Sequence, residues 1–254
     1  MLLRAENLSR RFGGVSALEA VDLALAPGQV HAVIGPNGAG KTTLLNVLSG
    51  IYRPDGGEIW LGERRLAGEA HQFAAAGIAR TFQNLQIFFN MSALENVMAG
   101  RWLRARCSLA STLFRLGNFR EVERECRATA ERLLDELGLA RWREARADAM
   151  PYGALKRLEI ARALAAEPTL LLLDEPAAGL NPGETREIDE LIRRIVARGI
   201  TVVLVEHNMK LVMGVSDHVV VLDYGRKLAD GDPRSVSADP RVIEAYLGTG
   251  APTC

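Results

Sequence analysis

Cysteine is scarce in this sequence, and neither sign of charge dominates. The three cysteines, Cys107, Cys126 and Cys254, have no paired spacing and no histidine cluster beside them. That argues against a disulfide framework and for free thiols in a reducing compartment. The 31 basic residues are matched by 31 acidic ones, for a net charge of zero. A polyanionic ligand usually leaves a basic excess, so no nucleic-acid partner is expected. No run approaches the ~18 apolar residues of a membrane-crossing helix. The opening MLLRAENLSRRF breaks its apolar start with Arg4 and Glu6, so no secretory leader is expected. Internal repeats, low-complexity linkers and sustained heptads are missing as well. If the chain acts at a membrane, another molecule must hold it there.

What is present is a balanced globular composition: 254 residues, 48% apolar and 24% charged, enough for one large domain or two small ones. Short apolar strands alternate with helical segments, which favours an α/β core with a parallel sheet. HAVIG, TLLLLDEP and TVVLVEH are continuous apolar runs, the pattern of strands buried on both faces. The N-terminal part differs, because Val21, Leu23 and Leu25 alternate with other residues as in a half-exposed antiparallel sheet. In REVERECRATAERLLDELGL, Val122, Cys126, Ala130, Leu133, Leu134 and Leu137 recur at helical spacing. We therefore expect a helical subdomain over 85–165, inserted into an α/β core formed by 1–84 and 166–254. The tail VVVLDYGRKLADGDP reads as strand, Tyr-Gly turn and strand, with short helices on to Leu247.

The stretch GPNGAGKTT, comprising Gly35, Pro36, Asn37, Gly38, Ala39, Gly40, Lys41, Thr42 and Thr43, fits G-x-x-x-x-G-K-[ST]. It follows the apolar strand HAVI and precedes a helical segment, the context that gives the motif meaning. Its glycines let the backbone wrap N–H groups around phosphates, and the helix N-terminus adds partial positive charge. Lys41 can reach the β- and γ-phosphates, and the Thr42 hydroxyl can ligate Mg²⁺. LLLLDEP sets Asp174 at the end of a buried strand, placed for the Mg²⁺ shell, with Glu175 placed to polarise an attacking water. ATP and Mg²⁺ are the expected ligands.

Taken together, these motifs and their order make the chain similar to the ATP-binding subunits of ABC transporters, over nearly its whole length. The resemblance implies a RecA-like P-loop NTPase core with an N-terminal antiparallel β subdomain. It also implies ATP hydrolysis and further site residues. Gln83 in RTFQN matches the Q-loop, with a catalytic and Mg²⁺-ligating role, and AAGLNP matches the D-loop. His207 in VEHNM matches the switch histidine, and Phe12 the aromatic that stacks on adenine. Met150 to Leu164, MPYGALKRLEIARAL, stands at the signature position, where Pro151, Tyr152 and Gly153 would close over the nucleotide of a second ATPase subunit, identical or homologous.

This signature departs from the common Leu-Ser-Gly-Gly-Gln form. Pro151 replaces a serine, Tyr152 a glycine, and Ala154 and Leu155 stand where glutamines usually lie. One lost hydrogen bond to a charged group costs roughly 1.5–3 kcal/mol. We expect hydrolysis to survive, since the backbone donors and Glu175 remain. RTFQNLQIFFNMSALENVMAGR, EPAAGLNPGET and DYGRKLADGDPRSVSADPRVIEAYLG resemble the high-affinity branched-chain amino acid importer branch. That branch implies transmembrane permease partners, indirectly a periplasmic or extracellular solute-binding protein, and a peripheral place on the cytoplasmic face of the cell membrane. Leu85, Ile87, Phe88, Phe89 and Met91 either receive a short permease helix or cover the subdomain's own core. The five arginines of 101–120 are read as a lipid-facing patch or a solvated insert. A weakly hydrolysing nucleotide switch and a soluble non-transport ATPase of this type are the rival functions.

Overall fold

The computed structural model describes residues 1–102, 104 and 119–247. The chain forms two compact units, Met1–Arg80 with Thr169–Cys254, and Thr81–Pro168. The helical unit was expected over 85–165, so Gln83, assigned to the core from sequence, falls within it.

In the first unit, β1 (Leu3–Phe12) and β2 (Val15–Leu25) form an antiparallel sheet with β4 (Gly56–Leu61) and β5 (Arg64–Leu66), in the order β2-β1-β4-β5. Val21, Leu23 and Leu25 are buried while Asp22 and Ala24 are exposed, the outcome that period-two alternation dictates. The second sheet has the order β10-β9-β3-β8-β7-β6. Its strands are β3 (Val30–Ile34), β6 (Ile78–Arg80), β7 (Leu170–Asp174), β8 (Thr201–Val205), β9 (His218–Asp223) and β10 (Arg226–Gly231). All neighbours are parallel except β10, which turns back on β9. Every residue of β3, β7 and β8 is buried, as the unbroken apolar runs require.

Both faces of this sheet are covered. Leu44, Leu45 and Leu48 of α1 (Lys41–Leu48) join Leu170, Leu172, Val203 and Val205 in a core shared with the antiparallel sheet. On α6 (Pro182–Ala197), Ile188, Leu191, Ile192 and Ile195 form one buried stripe. That helix starts sharply: Asn181 Oδ1 accepts from the N–H groups of Gly183 and Glu184 at 2.8 and 3.0 Å, and Pro182 occupies its first turn. Three short helices complete the unit: α7 (Met209–Val215), α8 (Pro233–Ser237) and α9 (Pro240–Leu247), alongside α2 (Ala70–Ala75) before β6.

The second unit holds α3 (Ala93–Gly100), α4 (Phe119–Glu136) and α5 (Tyr152–Leu164). The stripe read from sequence is its core: Cys126, Ala130, Leu133, Leu134 and Leu137 are buried. Gly100 is required where α3 meets α5, since a Cβ there would stand 2.1 Å from the Arg162 carbonyl oxygen. Arg101 pairs with Glu125 at 2.8 Å and Glu167 at 2.6 Å, and Arg104 donates to the carbonyls of Ala166 and Glu167. These two arginines are structural. Arg120 is exposed on α4, while Arg106 and Arg115, with Cys107, lie outside the described residues, as does Cys254. Among the described residues no helix is long and apolar enough to cross a membrane.

Candidate functional site

Strands β3, β8 and β7 are neighbours and parallel, so Ile34, Val205 and Asp174 end at one edge of the sheet. The carboxyl edge of an open α/β sheet is where ligands collect. Here β3 runs into the Gly35–Gly40 loop, and α1 begins at Lys41. Gly35 has φ 149° and Gly40 φ 102°, and added Cβ atoms would meet the carbonyl oxygens of Leu222 at 2.1 Å and Ala17 at 2.4 Å. The loop is thus locked tightly against its supports by residues only glycine can replace. Lys41 is 7% exposed, and its Nζ donates to the carbonyls of Gly35 at 2.7 Å and Pro36 at 2.8 Å. Burial lowers its pKa, opposed by the nearby carboxylates of Glu175 and Asp174. Thr42, one residue on, is exposed and Thr43 half-buried.

The acidic side of the site is built on β7 and β8. Asp174 is 2% exposed, and its Oδ2 accepts from Arg80 Nη2 at 2.9 Å. Arg80 ends β6, next to β7, and also donates to Asn46 Oδ1 at 2.6 Å and Ser49 Oγ at 3.1 Å on and after α1. Glu175 has φ 49°, a left-handed conformation that costs an ordinary residue about 1–2 kcal/mol. Its N–H still reaches the Val205 carbonyl at 2.9 Å. The turn swings its carboxylate toward His207, whose Nε2 lies 3.0 Å from Oε1. Glu206, only 4% exposed, accepts through Oε1 from the Ala177 N–H at 2.8 Å, and through Oε2 from the His207 N–H at 3.1 Å and the Asn208 N–H at 3.4 Å. One buried carboxylate therefore holds the start of the Ala177–Pro182 loop beside the backbone of His207.

Phe12 ends β1, partly exposed, with its ring edge-on to Tyr52 at 5.2 Å and the Arg10 guanidinium 4.9 Å from its centre. Arg10 is itself held by Asp55 at 2.7 Å. Behind the phosphate loop, Tyr246 of α9 packs on the cluster around Ile34 and Val221. Burial raises its pKa, offset in part by the Gly35 N–H, which donates to its hydroxyl. In the first unit, then, the structure gathers Gly35–Thr43, Asp174, Glu175 and His207.

Gln83, Pro151, Tyr152 and Gly153 belong to the second unit. Gln83 is exposed on the loop after Thr81. Pro151, at φ −68° and ψ 155°, precedes α5 without any side-chain cap, so the first N–H groups of the helix are not met by a capping side chain. Tyr152 is exposed and Gly153 buried. Ala154 and Leu155 are buried too, so the two substitutions for glutamine are core residues of this unit. Lys156 is buried, with its ammonium 5.8 Å from the centre of the Tyr152 ring. The apolar stretch divides: Ile87 is buried, whereas Phe88, Phe89 and Met91 are exposed.

Arg80 and Glu206 were missed by the sequence reading, although each adjoins a recognised feature. Arg80 directly precedes the TFQN stretch, and Glu206 directly precedes His207. A charged residue ending a buried apolar run is the signal that was available for both.

A family model described as ABC transporter matches residues 18–178. A second, described as Branched-chain amino acid ATP-binding cassette transporter, matches 226–252. The chain is 43% identical over 249 residues to the high-affinity branched-chain amino acid transport ATP-binding protein BraF of Pseudomonas aeruginosa, covering 97% of this chain and 98% of BraF. LivG of Escherichia coli K12 matches with the same identity and coverage. Among solved structures, a nucleotide-free ATP-binding cassette from an ABC transporter superposes with TM-score 0.85 at 33% identity, covering 96% of this chain and 98% of that one. The ADP conformation of MJ1267, an ATP-binding cassette of an ABC transporter, gives 0.83 at 33% identity, with 97% and 98% covered.

Proposed function

The chain belongs to the ABC transporter family, and from that premise we propose that it is the ATP-hydrolysing subunit of an importer for branched-chain amino acids or related small polar solutes. The observation that carries this reading is the Glu175–His207 pair, 3.0 Å apart at the ends of β7 and β8, on the sheet edge that also bears Lys41 and Asp174. The 43% identity to BraF and LivG along nearly the whole chain supports the choice of solute class.

In this reading, the N–H groups of Gly38–Thr42 cradle the β- and γ-phosphates, and Lys41 exchanges its loop carbonyls for phosphate oxygens. Phe12 presents its ring to the adenine. Glu175 takes a proton from the attacking water, and His207 Nε2–H steadies that carboxylate and faces the γ-phosphate. The residues fit Mg²⁺, because Thr42 and Asp174 offer hard oxygen donors and the described residues contain no group of three or more His, Cys, Asp or Glu that would build an all-protein cage. Asp174 and Thr42 are the residues of the first unit that would hold it. When bound, Mg²⁺ neutralises charge developing on the phosphates.

The site is completed by a second ATPase subunit, identical or homologous, whose Pro151–Gly153 turn brings the uncapped start of α5 to the γ-phosphate. Exposed Phe88, Phe89 and Met91 dock a permease, which sets the protein on the cytoplasmic face of the cell membrane and links it indirectly to a solute-binding protein. The test is Glu175→Gln in the purified transporter. ATP binding should persist while turnover falls by about 10²-fold or more. Wild-type protein that binds ATP and never turns it over, even with its permease, would establish the weakly hydrolysing switch instead.

A further inference from the structure

We infer that Glu159 is a positioning residue that fastens the Gln83 loop and the exposed Phe88–Met91 stretch to helix α5, so that a load on that stretch reaches the Tyr152–Gly153 turn. The proposal rests on the transporter reading above and concerns the second unit alone.

A single oxygen of Glu159, Oε1, accepts from the Phe82 N–H at 3.1 Å and from the Gln86 N–H at 3.3 Å. It therefore gathers both ends of the loop that carries Gln83. Glu159 is 2% exposed, and burying a carboxylate is costly unless hydrogen bonds and opposite charges offset it, which the two N–H groups and the nearby cations of Lys156 and Arg162 do. Here those bonds go to the backbone of a surface loop, and Glu159 is not part of the phosphate site. One helical turn further, Arg162 lies on the same face of α5, its guanidinium 5.5 Å from the centre of the Phe88 ring. Asn96 of α3 closes the grip from the other side. Its Oδ1 accepts from the Phe88 N–H at 2.9 Å, and its Nδ2 donates to the Phe88 carbonyl at 3.0 Å. The same Nδ2 donates to the Ser92 carbonyl at 3.0 Å, which anchors it to the start of α3. A loop bearing three exposed apolar side chains is thus held through its main chain by two fully buried polar residues.

The consequence is mechanical. The Gly153 end of α5 lies about two turns from Glu159, or roughly 10 Å along the axis. A hydrogen-bonded helix transmits displacement over that length with little loss, whereas an unfastened loop would absorb it. Coupling between sites is carried by packed side chains, hydrogen bonds and rigid elements, and α5 with its Glu159 and Arg162 contacts supplies such a chain.

Two variants and two measurements test this. Glu159→Leu removes the acceptor, and Glu159→Gln keeps one acceptor oxygen in nearly the same shape. In the purified chain, hydrogen exchange at Phe82 and Gln86 should rise about tenfold in Glu159→Leu and stay near wild type in Glu159→Gln. In proteoliposomes of the transporter isolated through this chain, with its solute-binding protein and leucine as the stimulus, Glu159→Leu should lose at least about fivefold of the stimulation. The unstimulated rate and the KM for ATP should stay as in wild type, and Glu159→Gln should restore the stimulation. Full stimulation in Glu159→Leu, an equal loss of the unstimulated rate, or failure of Glu159→Gln to rescue each overturns the inference. If Glu159→Leu does not fold, Arg162→Met tests the same grip, and wild-type stimulation there is equally fatal. A wild-type transporter that ignores leucine would sink the importer reading instead, while the exchange measurement still decides whether Glu159 holds the loop.

Discussion

Asp174 was assigned a role in metal binding from its position, but the structure adds the guanidinium that holds it. Arg80 and Asp174 are both nearly inaccessible to solvent, and burial lowers the pKa of Arg80 while its partner's carboxylate opposes that shift. Removing one member of a buried pair leaves the other charge in a poor solvent, at a cost of about 3–5 kcal/mol. Arg80→Met should therefore lower unfolding free energy by about that amount in urea titrations. A loss below about 1 kcal/mol, the worth of an exposed pair, would mean that the guanidinium is dispensable. Residue types and spacing pointed to Lys41, which opens a helix after a glycine-rich turn, and to Glu175, which follows a buried strand, whereas the family resemblance pointed to His207. The pairing of Arg80 with Asp174 was not legible, because the two stand 94 positions apart and only strand pairing unites them.

At the scale of elements, β3, β7 and β8 could be read directly, since strands buried on both faces must be apolar throughout. The pairing of β3 with β9 could not, and it brings His31 opposite His218 with ring centres 5.7 Å apart. His31 Nε2 lies 3.0 Å from the Ala26 N–H and 3.3 Å from the Ala26 carbonyl, and its role toward each follows from the ring's tautomer. Burial lowers the His31 pKa first of all; the hydrogen bond to the Ala26 backbone opposes it, and His218 adds to the lowering. A histidine whose folded pKa lies below its unfolded value of 6.5 resists protonation only while folded. The unfolded chain therefore takes up more protons as pH drops through 6.5, and the stability conferred by neutral His31 is lost on the acid side. Urea midpoints should fall between pH 7.5 and 5.5, and His31→Gln should flatten part of that slope. An unchanged slope in the variant would assign the acid sensitivity to other groups.

For the whole molecule, the proposed function makes nucleotide a stabilising ligand. ATP at about 100 times its Kd should add ~2.7 kcal/mol, which for a chain of this size is about 5–10 °C in Tm. Lys41→Ala should abolish that shift in differential scanning fluorimetry, and a shift that survives would place the nucleotide elsewhere. The α/β class and the helical insert were both visible in sequence. The fastening of residues 82–88 by Glu159 and Asn96 was not, because buried polar residues leave no periodic trace. Glu175 carries a different lesson. A side chain sits there in backbone territory that suits glycine or asparagine, at the corner where its carboxylate meets His207. With Glu175 in the proposed role, variants selected only for resistance to heat would drift away from glutamate at this corner and shed activity as they grew sturdier, so robustness and competence would have to be scored separately in any engineering of this protein.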